Sequence, residues 1–126
     1  MLAAGAEPAH PTPSETLEPL LQQTMPSIPG KTLTAVQVVF PPGARSVPHR
    51  HGDAFLYVYV LAGEIKSQIE GQSVHTYRKG ESWCEQPGEH HVLTENASAN
   101  EVARLLVVFV ADTGAPLKID DPATEP

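Results

Sequence analysis

Residues 43–51 read Gly-Ala-Arg-Ser-Val-Pro-His-Arg-His, which places two histidines at alternate positions after a glycine. Alternate side chains of a β-strand project from the same face, so we expect His49 and His51 to lie side by side. Neutral imidazole is a common ligand for zinc, iron, copper and nickel. A second histidine pair, His90 and His91, follows a Pro-Gly turn downstream. The pattern predicts that one of these completes a metal site with the first pair.

Outward from this segment, the chain reads as short strands separated by turns. The apolar and β-branched stretches are bounded by glycine and proline turns or by a polar loop, and they lie at residues 32–40, 55–61, 64–69, 74–77, 82–85, 91–94 and 103–110. No long helical periodicity interrupts them. Seven or eight short strands at this spacing predict an all-β barrel or sandwich.

The ends of the chain differ from its centre. Residues 1–30 carry six prolines and little periodicity, which predicts an extended N-terminal arm with one short helical turn at residues 14–18. We expect one barrel domain at 31–112 and a C-terminal tail at 113–126. A length of 126 residues suits one domain rather than two.

Composition narrows the classes of partner. The chain has eight basic and 15 acidic residues, which argues against a nucleic-acid partner and against an anionic membrane surface. No apolar run approaches the roughly 20 residues of a membrane helix. Cys84 is the single cysteine, so no internal disulfide can form, and we expect a buried structural thiol. Residues 2–6 look like the remnant of a signal-peptidase site, which leaves a cytoplasmic and a periplasmic location both open.

Two motifs on the expected strands resemble those of a known family. They are Gly43-x5-His49-x-His51 followed by Gly63, and Gly80-x6-Pro87-Gly88-x2-His91 followed by Asn96. The chain resembles the cupin superfamily, and most of all its small single-domain bacterial members. The resemblance implies a jelly-roll barrel of the double-stranded β-helix type, often dimeric, with one metal held by histidines. Neighbouring strand residues point to opposite faces, and the family pattern favours His91 over His90 as the third ligand.

The chain departs from the family at the fourth ligand. Cupins usually place a glutamate four or five residues after the second histidine, where this chain has Phe55 and Leu56. Three alternatives remain: an open site of three histidines and waters, a carboxylate supplied by Asp53 or Glu85, or a pocket without metal. We expect the three-histidine site, which suits zinc, copper or nickel better than manganese; iron is also compatible with imidazole.

Two further residues are candidates for catalysis. Glu85 precedes the second motif and is the best candidate for a general base if it lies near a metal. Tyr57 lies on a long apolar strand, and its phenol could orient a substrate or donate a proton if the strand turns it inward.

The predicted function is action on a small, apolar or aromatic molecule through the metal, with dioxygenase-, lyase- or isomerase-like chemistry. The alternative is a non-catalytic module that binds or senses a metal or a small molecule. Because both faces of residues 55–61 are apolar, we expect the outer face to be covered, by the N-terminal arm or by a second subunit. A homodimer is the favoured cover.

Overall fold

The computed structural model describes residues 14–123, which form ten strands and no helix. The strands are β1 (Thr16–Thr24), β2 (Lys31–Phe40), β3 (His49–Arg50), β4 (Phe55–Ala62), β5 (Glu64–Ile69), β6 (His75–Arg78), β7 (Ser82–Glu85), β8 (His90–Glu95), β9 (Ala103–Asp112) and β10 (Ile119–Asp120). The predicted all-β class is confirmed. The signal-peptide remnant proposed at residues 2–6 lies outside the described residues.

The strands form two antiparallel sheets of five. Sheet A has the order β1-β2-β9-β4-β7, and sheet B has the order β10-β3-β8-β5-β6. Most strands that are neighbours in sequence, such as β4 and β5, lie in different sheets, so the chain passes repeatedly between the two layers. Within residues 14–123, no helix is long and apolar enough to cross a membrane.

The core lies between the sheets and is built mainly by β2, β4 and β9. Their inward positions alternate with half-exposed ones, as expected of strands with one buried face. The largest apolar contributors are Phe40, Leu56, Ile65, Leu105 and Phe109. This core leaves one end of the sandwich free to carry polar groups.

The helical turn predicted at residues 14–18 is wrong, because this segment leads into an edge strand. β1 pairs antiparallel with β2 from Thr16↔Val39 to Thr24↔Thr32. Pro19, which argued for an early helix end, is compatible with an edge strand since its missing N–H can face solvent. The pairing shifts register between Pro19 and Leu21. Backbone pairing along β2 therefore outweighs the local helix signals.

The described strand of the N-terminal arm does not cover the outer face of β4. In sheet A, β1 and β4 are separated by β2 and β9, so β1 lies at the other side of the sheet. Tyr57 and Leu61 on the outer face of β4 are each 36% exposed. The cover expected for this face, by a second sheet and the arm or by a second subunit, stays a prediction.

The thiol of Cys84 is exposed, so the prediction of a buried structural cysteine is wrong. Strand alternation explains the error. On β7, Glu85 is buried and Trp83 half-buried, while Ser82 and Cys84 lie on the exposed side.

Gly63 joins β4 to β5 at a position that only glycine fits. Its φ is +75°, and an added Cβ would lie 2.7 Å from the carbonyl oxygen of Val102 and 2.9 Å from Cα of Ala103. Both neighbours are backbone atoms, so a side chain cannot be accommodated without moving β9.

Candidate metal centre

Pairing of β3 with β8 brings the two histidine motifs together. His49 lies directly across from His91 in the antiparallel register. Beyond the strand ends, the N–H of Gly88 donates a hydrogen bond of 2.8 Å to the carbonyl of Gly52. The turns of both motifs are thereby fixed to each other.

Three of the predicted ligands form one buried cluster. His49, His51 and His91 each offer a ring nitrogen, and these atoms lie within 4.8 Å of one another. The three residues are only 5%, 8% and 3% exposed. Buried histidines at this separation have the spacing of groups that share an ion.

Backbone carbonyls orient two of the rings. Nδ1 of His49 lies 2.7 Å from the carbonyl oxygen of Val47, and Nδ1 of His51 lies 2.7 Å from that of Leu117. A carbonyl accepts only, so each Nδ1 carries the proton and donates it. Each Nε2 then keeps a lone pair, and this is how protein partners usually fix a metal-binding imidazole.

Hydroxyl groups surround the third ring. Nε2 of His91 lies 2.7 Å from Oγ of Ser67 and 2.9 Å from Oγ1 of Thr94. Both hydroxyl residues are buried. The ring is therefore held from β5 and from its own strand, with Nδ1 turned toward Glu85.

Glu85 faces the histidines from the opposite sheet. Its Oε2 lies 3.1 Å from Nδ1 of His91 and accepts a hydrogen bond of 3.0 Å from the indole N–H of Trp83. Its Oε1 lies 3.4 Å from Nε2 of His51 and is a buried atom without a hydrogen-bond partner in the described part of the chain. Since the residue is 2% exposed, this leaves an unsatisfied acceptor at the cluster.

The register explains how Glu85 reaches this place. It lies directly across from Leu56, one of the two positions where the resembled family carries its glutamate. Cross-strand partners project from the same side of a sheet. A carboxylate on β7 thus enters the space that a carboxylate on β4 would occupy.

Burial controls the charge state of the cluster. Burial lowers the pKa of His49 to about 4. The hydrogen bond to the carbonyl of Val47 opposes this decrease in pKa. Smaller decreases come from the charges of His51, His91 and Lys118. Burial raises the pKa of Glu85, but the neighbouring His51 and His91 outweigh burial and hold this pKa well below its usual range. At neutral pH the cluster therefore contains a neutral His49 and an ionised Glu85.

The residues present fit a divalent transition metal. Metal binding requires neutral imidazoles with a free lone pair, and burial, which lowers the pKa of His49, keeps that ring neutral at pH 7. The carboxylate beside them supplies negative charge and an oxygen without a hydrogen-bond partner. An N-rich set with one carboxylate suits zinc, iron, copper or nickel.

Other candidates lie outside the cluster. Tyr57 is on the outer face of β4, because Leu56 and Val58 occupy the inward positions, so its phenol does not line the cavity. Asp53 is exposed and is not part of the cluster. His90 points away, as predicted, with Nδ1 2.8 Å from Glu70 and Nε2 2.8 Å from Asp121.

The histidines line one wall of a cavity between the sheets. Apolar side chains make up most of its remaining wall, among them Val38, Phe40, Leu56, Val58, Leu105, Val107 and Phe109. The cavity offers about 60 Å³ to the centres of water-sized molecules. One water takes roughly 10–15 Å³ on this measure, so the cavity holds a few waters or a small organic molecule.

The C-terminal segment contributes to the site in a way that the sequence did not indicate. β10 pairs with β3, Leu117 supplies the carbonyl that orients His51, and Lys118 lines the cavity. A backbone carbonyl leaves no side-chain pattern to recognise. The position of Lys118 depends on a pairing between two strands of two residues each.

Comparison with known proteins agrees with this architecture. A family model described as "Cupin domain" matches residues 36–109. No curated protein matches the chain. A conserved Klebsiella pneumoniae protein with a double-stranded beta-helix domain is 17% identical with a TM-score of 0.66, and the match covers 92% of this chain and 90% of that one.

Two other similar solved structures are longer than the region that this chain matches. The cupin domain of Schizosaccharomyces pombe Cnp3 is 18% identical with a TM-score of 0.66, covering 79% of this chain and 62% of that one. An oxalate oxidase in complex with the substrate analogue glycolate is 21% identical with a TM-score of 0.65, covering 85% of this chain and 55% of that one. This chain therefore spans less than two thirds of either structure. The likeness establishes the fold, and the predicted jelly roll of the double-stranded β-helix type is confirmed.

Proposed function

This chain belongs to the cupin domain family, and on that premise we propose that it binds one divalent transition metal through His49, His51 and His91. The metal is zinc, copper, nickel, iron or manganese, with the nitrogen-rich ligand set favouring the first three. The observation that carries the proposal is the buried cluster itself. Its three ligand atoms lie within 4.8 Å of one another, and carbonyl oxygens orient two of the rings.

Glu85 is proposed as the fourth, anionic ligand. This role explains why a buried carboxylate oxygen has no hydrogen-bond partner 3.4 Å from Nε2 of His51. It also replaces the family's glutamate with one from the neighbouring strand. The same carboxylate lies in the cavity beside the histidines and is the proposed acceptor of a proton from a substrate, whereas Tyr57 lies outside the cavity.

The cavity supports a small, largely apolar or aromatic ligand. Its walls carry valine, leucine and phenylalanine side chains, and polar groups are concentrated at the histidine cluster and the mouth. A bound divalent metal supplies Lewis-acid polarisation of a ligand oxygen. The residues of the chain orient the ligand, exclude water with the apolar wall, and hold a carboxylate beside the reacting end. Dioxygenase-, lyase- and isomerase-like reactions are all compatible with such a site.

A second candidate is a non-catalytic module that captures a small molecule or a metal. The comparisons favour neither candidate, since one similar structure is named an oxidase and another simply a cupin domain. Turnover separates the two. An enzyme converts a bound compound in a metal-dependent manner, whereas a binding module returns it unchanged.

A cobalt(II) titration followed by visible absorption tests the metal proposal. We expect saturation at one equivalent and a band whose position reports nitrogen ligands. The variant His51→Ala removes one ligand and should abolish that band, while His75→Ala on the exposed part of β6 serves as the control. Identical titrations of all three proteins would contradict the proposal.

We also propose that the chain forms a homodimer through the outer face of sheet A. Tyr57 and Leu61 on this face are each 36% exposed in the single chain. On the edge strand β1, Leu21 pairs with the outward-facing Ala35 and is 53% exposed. Exposed apolar side chains on one sheet face favour an interaction surface.

A further inference from the structure

An ion pair lies in the lining of the cavity. Glu15 immediately precedes β1, and Lys118 immediately precedes β10, so the pair joins segments from opposite ends of the chain. Nζ of Lys118 lies 3.4 Å from Oε2 of Glu15. Both residues line the same cavity as the histidine cluster. The site thus has a second polar region opposite its apolar wall.

Lys118 is the one lysine or arginine among the described residues that line this cavity. Its side chain is 31% exposed, which leaves the ammonium group between solvent and the interior. Lys118 and His49 line the same cavity. A single cation beside apolar walls favours a ligand that combines an apolar body with an anionic group.

Glu15 already places a carboxylate at this cation. Its side chain is 6% exposed, and its Oε1 accepts a hydrogen bond of 2.6 Å from the hydroxyl of Ser14. The 3.4 Å contact with Lys118 is longer than a good hydrogen bond, because Asp120 holds the same ammonium at 2.8 Å. The contact between Glu15 and Lys118 is therefore one that another carboxylate can replace.

We propose that Lys118 determines ligand specificity by binding the carboxylate of a small monocarboxylate, and that Glu15 occupies this place when the ligand is absent. The inference rests on the proposed function only in taking this cavity as the ligand site. The apolar body of the ligand lies among the side chains of β2, β4 and β9. Its carboxylate end lies at the mouth, between the N-terminal and C-terminal segments.

Binding of matched acids and alcohols to the full-length protein tests this inference. The probes are benzoate and butyrate, with benzyl alcohol and 1-butanol as neutral counterparts, and nuclear magnetic resonance titration gives the dissociation constants. Each titration is run on metal-free and on zinc-loaded protein. The variants are Lys118→Met and Glu15→Gln. Their controls are Lys66→Met, at an exposed position of β5, and Glu18→Gln, at an exposed position of β1. Both make the same charge changes outside the cavity.

We expect the Lys118→Met variant to bind the acids about fivefold more weakly, since a partly exposed ion pair contributes up to about 1 kcal/mol. Binding of the alcohols should not change. We expect Glu15→Gln to bind the acids about threefold more tightly than wild type, with Glu18→Gln unchanged. These results in both metal states would support the assignment.

Three results would overturn the assignment. They are equal affinity of the wild type and Lys118→Met for benzoate, equal affinity of Glu15→Gln and Glu18→Gln, or no preference of Glu15→Gln for acids over alcohols. If the acids bind at the histidines rather than at Lys118, the wild type and Lys118→Met will bind benzoate with equal affinity. A chain that retains the acid preference but binds no metal would refute the proposed metal site and leave the role of Lys118 supported.

Discussion

The protonation of His49 makes the stability of the metal-free protein depend on pH. The pKa of this side chain falls from 6.5 to about 4 in the folded state, because burial disfavours the charged ring. The unfolded chain therefore binds more protons than the folded chain between these two values. The stability that neutral His49 contributes to the folded chain is complete above pH 6.5 and is lost as the pH falls toward 4.

The size of this effect follows from the two pKa values. At 1.36 kcal/mol for each pKa unit, the full loss of unfolding free energy is about 3 kcal/mol. About 2 kcal/mol of it falls between pH 7 and pH 5, where carboxylates of usual pKa stay ionised. This window separates His49 from Glu85, whose low pKa affects stability only in more acidic solution.

Urea unfolding of the metal-free protein at fixed ionic strength measures the effect, with fluorescence of the single tryptophan, Trp83, as the signal. We expect the wild type to lose about 2 kcal/mol of unfolding free energy from pH 7 to pH 5. The variant His49→Gln should lose about 2 kcal/mol less than the wild type in this window. His75→Gln should follow the wild type. Equal pH dependence of the wild type and His49→Gln would refute the reasoning.

Three further predictions concern the fourth ligand, a turn and the outer face of sheet A. The variant Glu85→Gln should bind zinc at least roughly 10- to 100-fold more weakly, as measured by competition with a chelator, because loss of a group that only supports a ligand already has this effect; unchanged affinity would exclude Glu85 from the site. Gly63→Ala should lose well over 1–2 kcal/mol in urea unfolding, since strain at positive φ adds to a backbone clash. Gly71 also has a positive φ, but no atom lies within 4 Å of an added Cβ. Gly71→Ala should therefore lose only the stability that backbone strain costs, and equal losses of stability in the two variants would contradict the clash at Gly63. Tyr57→Lys should convert a homodimer to monomer in light scattering, whereas a wild type that is already monomeric would rule out the dimer.

The sequence was enough to predict the barrel and the histidine cluster. Glycine and proline turns divide the chain into short strands. These boundaries hold because glycine adopts the positive φ that tight turns require, and proline has a fixed φ and no N–H for a strand ladder. The spacing of His49 and His51 and the Pro-Gly turn before His91 are local features. They remain informative because the pairing of β3 with β8 brings them together.

Other features depend on register between distant strands and were not accessible from the sequence. The position of Glu85 beside the histidines follows from its pairing with Leu56, which no local pattern encodes. The outward direction of Tyr57 depends on which face of β4 meets the core, and both faces are apolar. Residues 14–18 favour a helical turn by local pattern alone, whereas their strand depends on pairing with β2.

The metal content of the protein as purified tests the central claim most directly. Mass spectrometric metal analysis should find close to one transition metal per chain in the wild type and in His75→Ala. The variants His49→Ala and His91→Ala should retain almost none. If all four proteins carry the same trace amount of metal, the three histidines do not form a metal site and the proposed function is wrong.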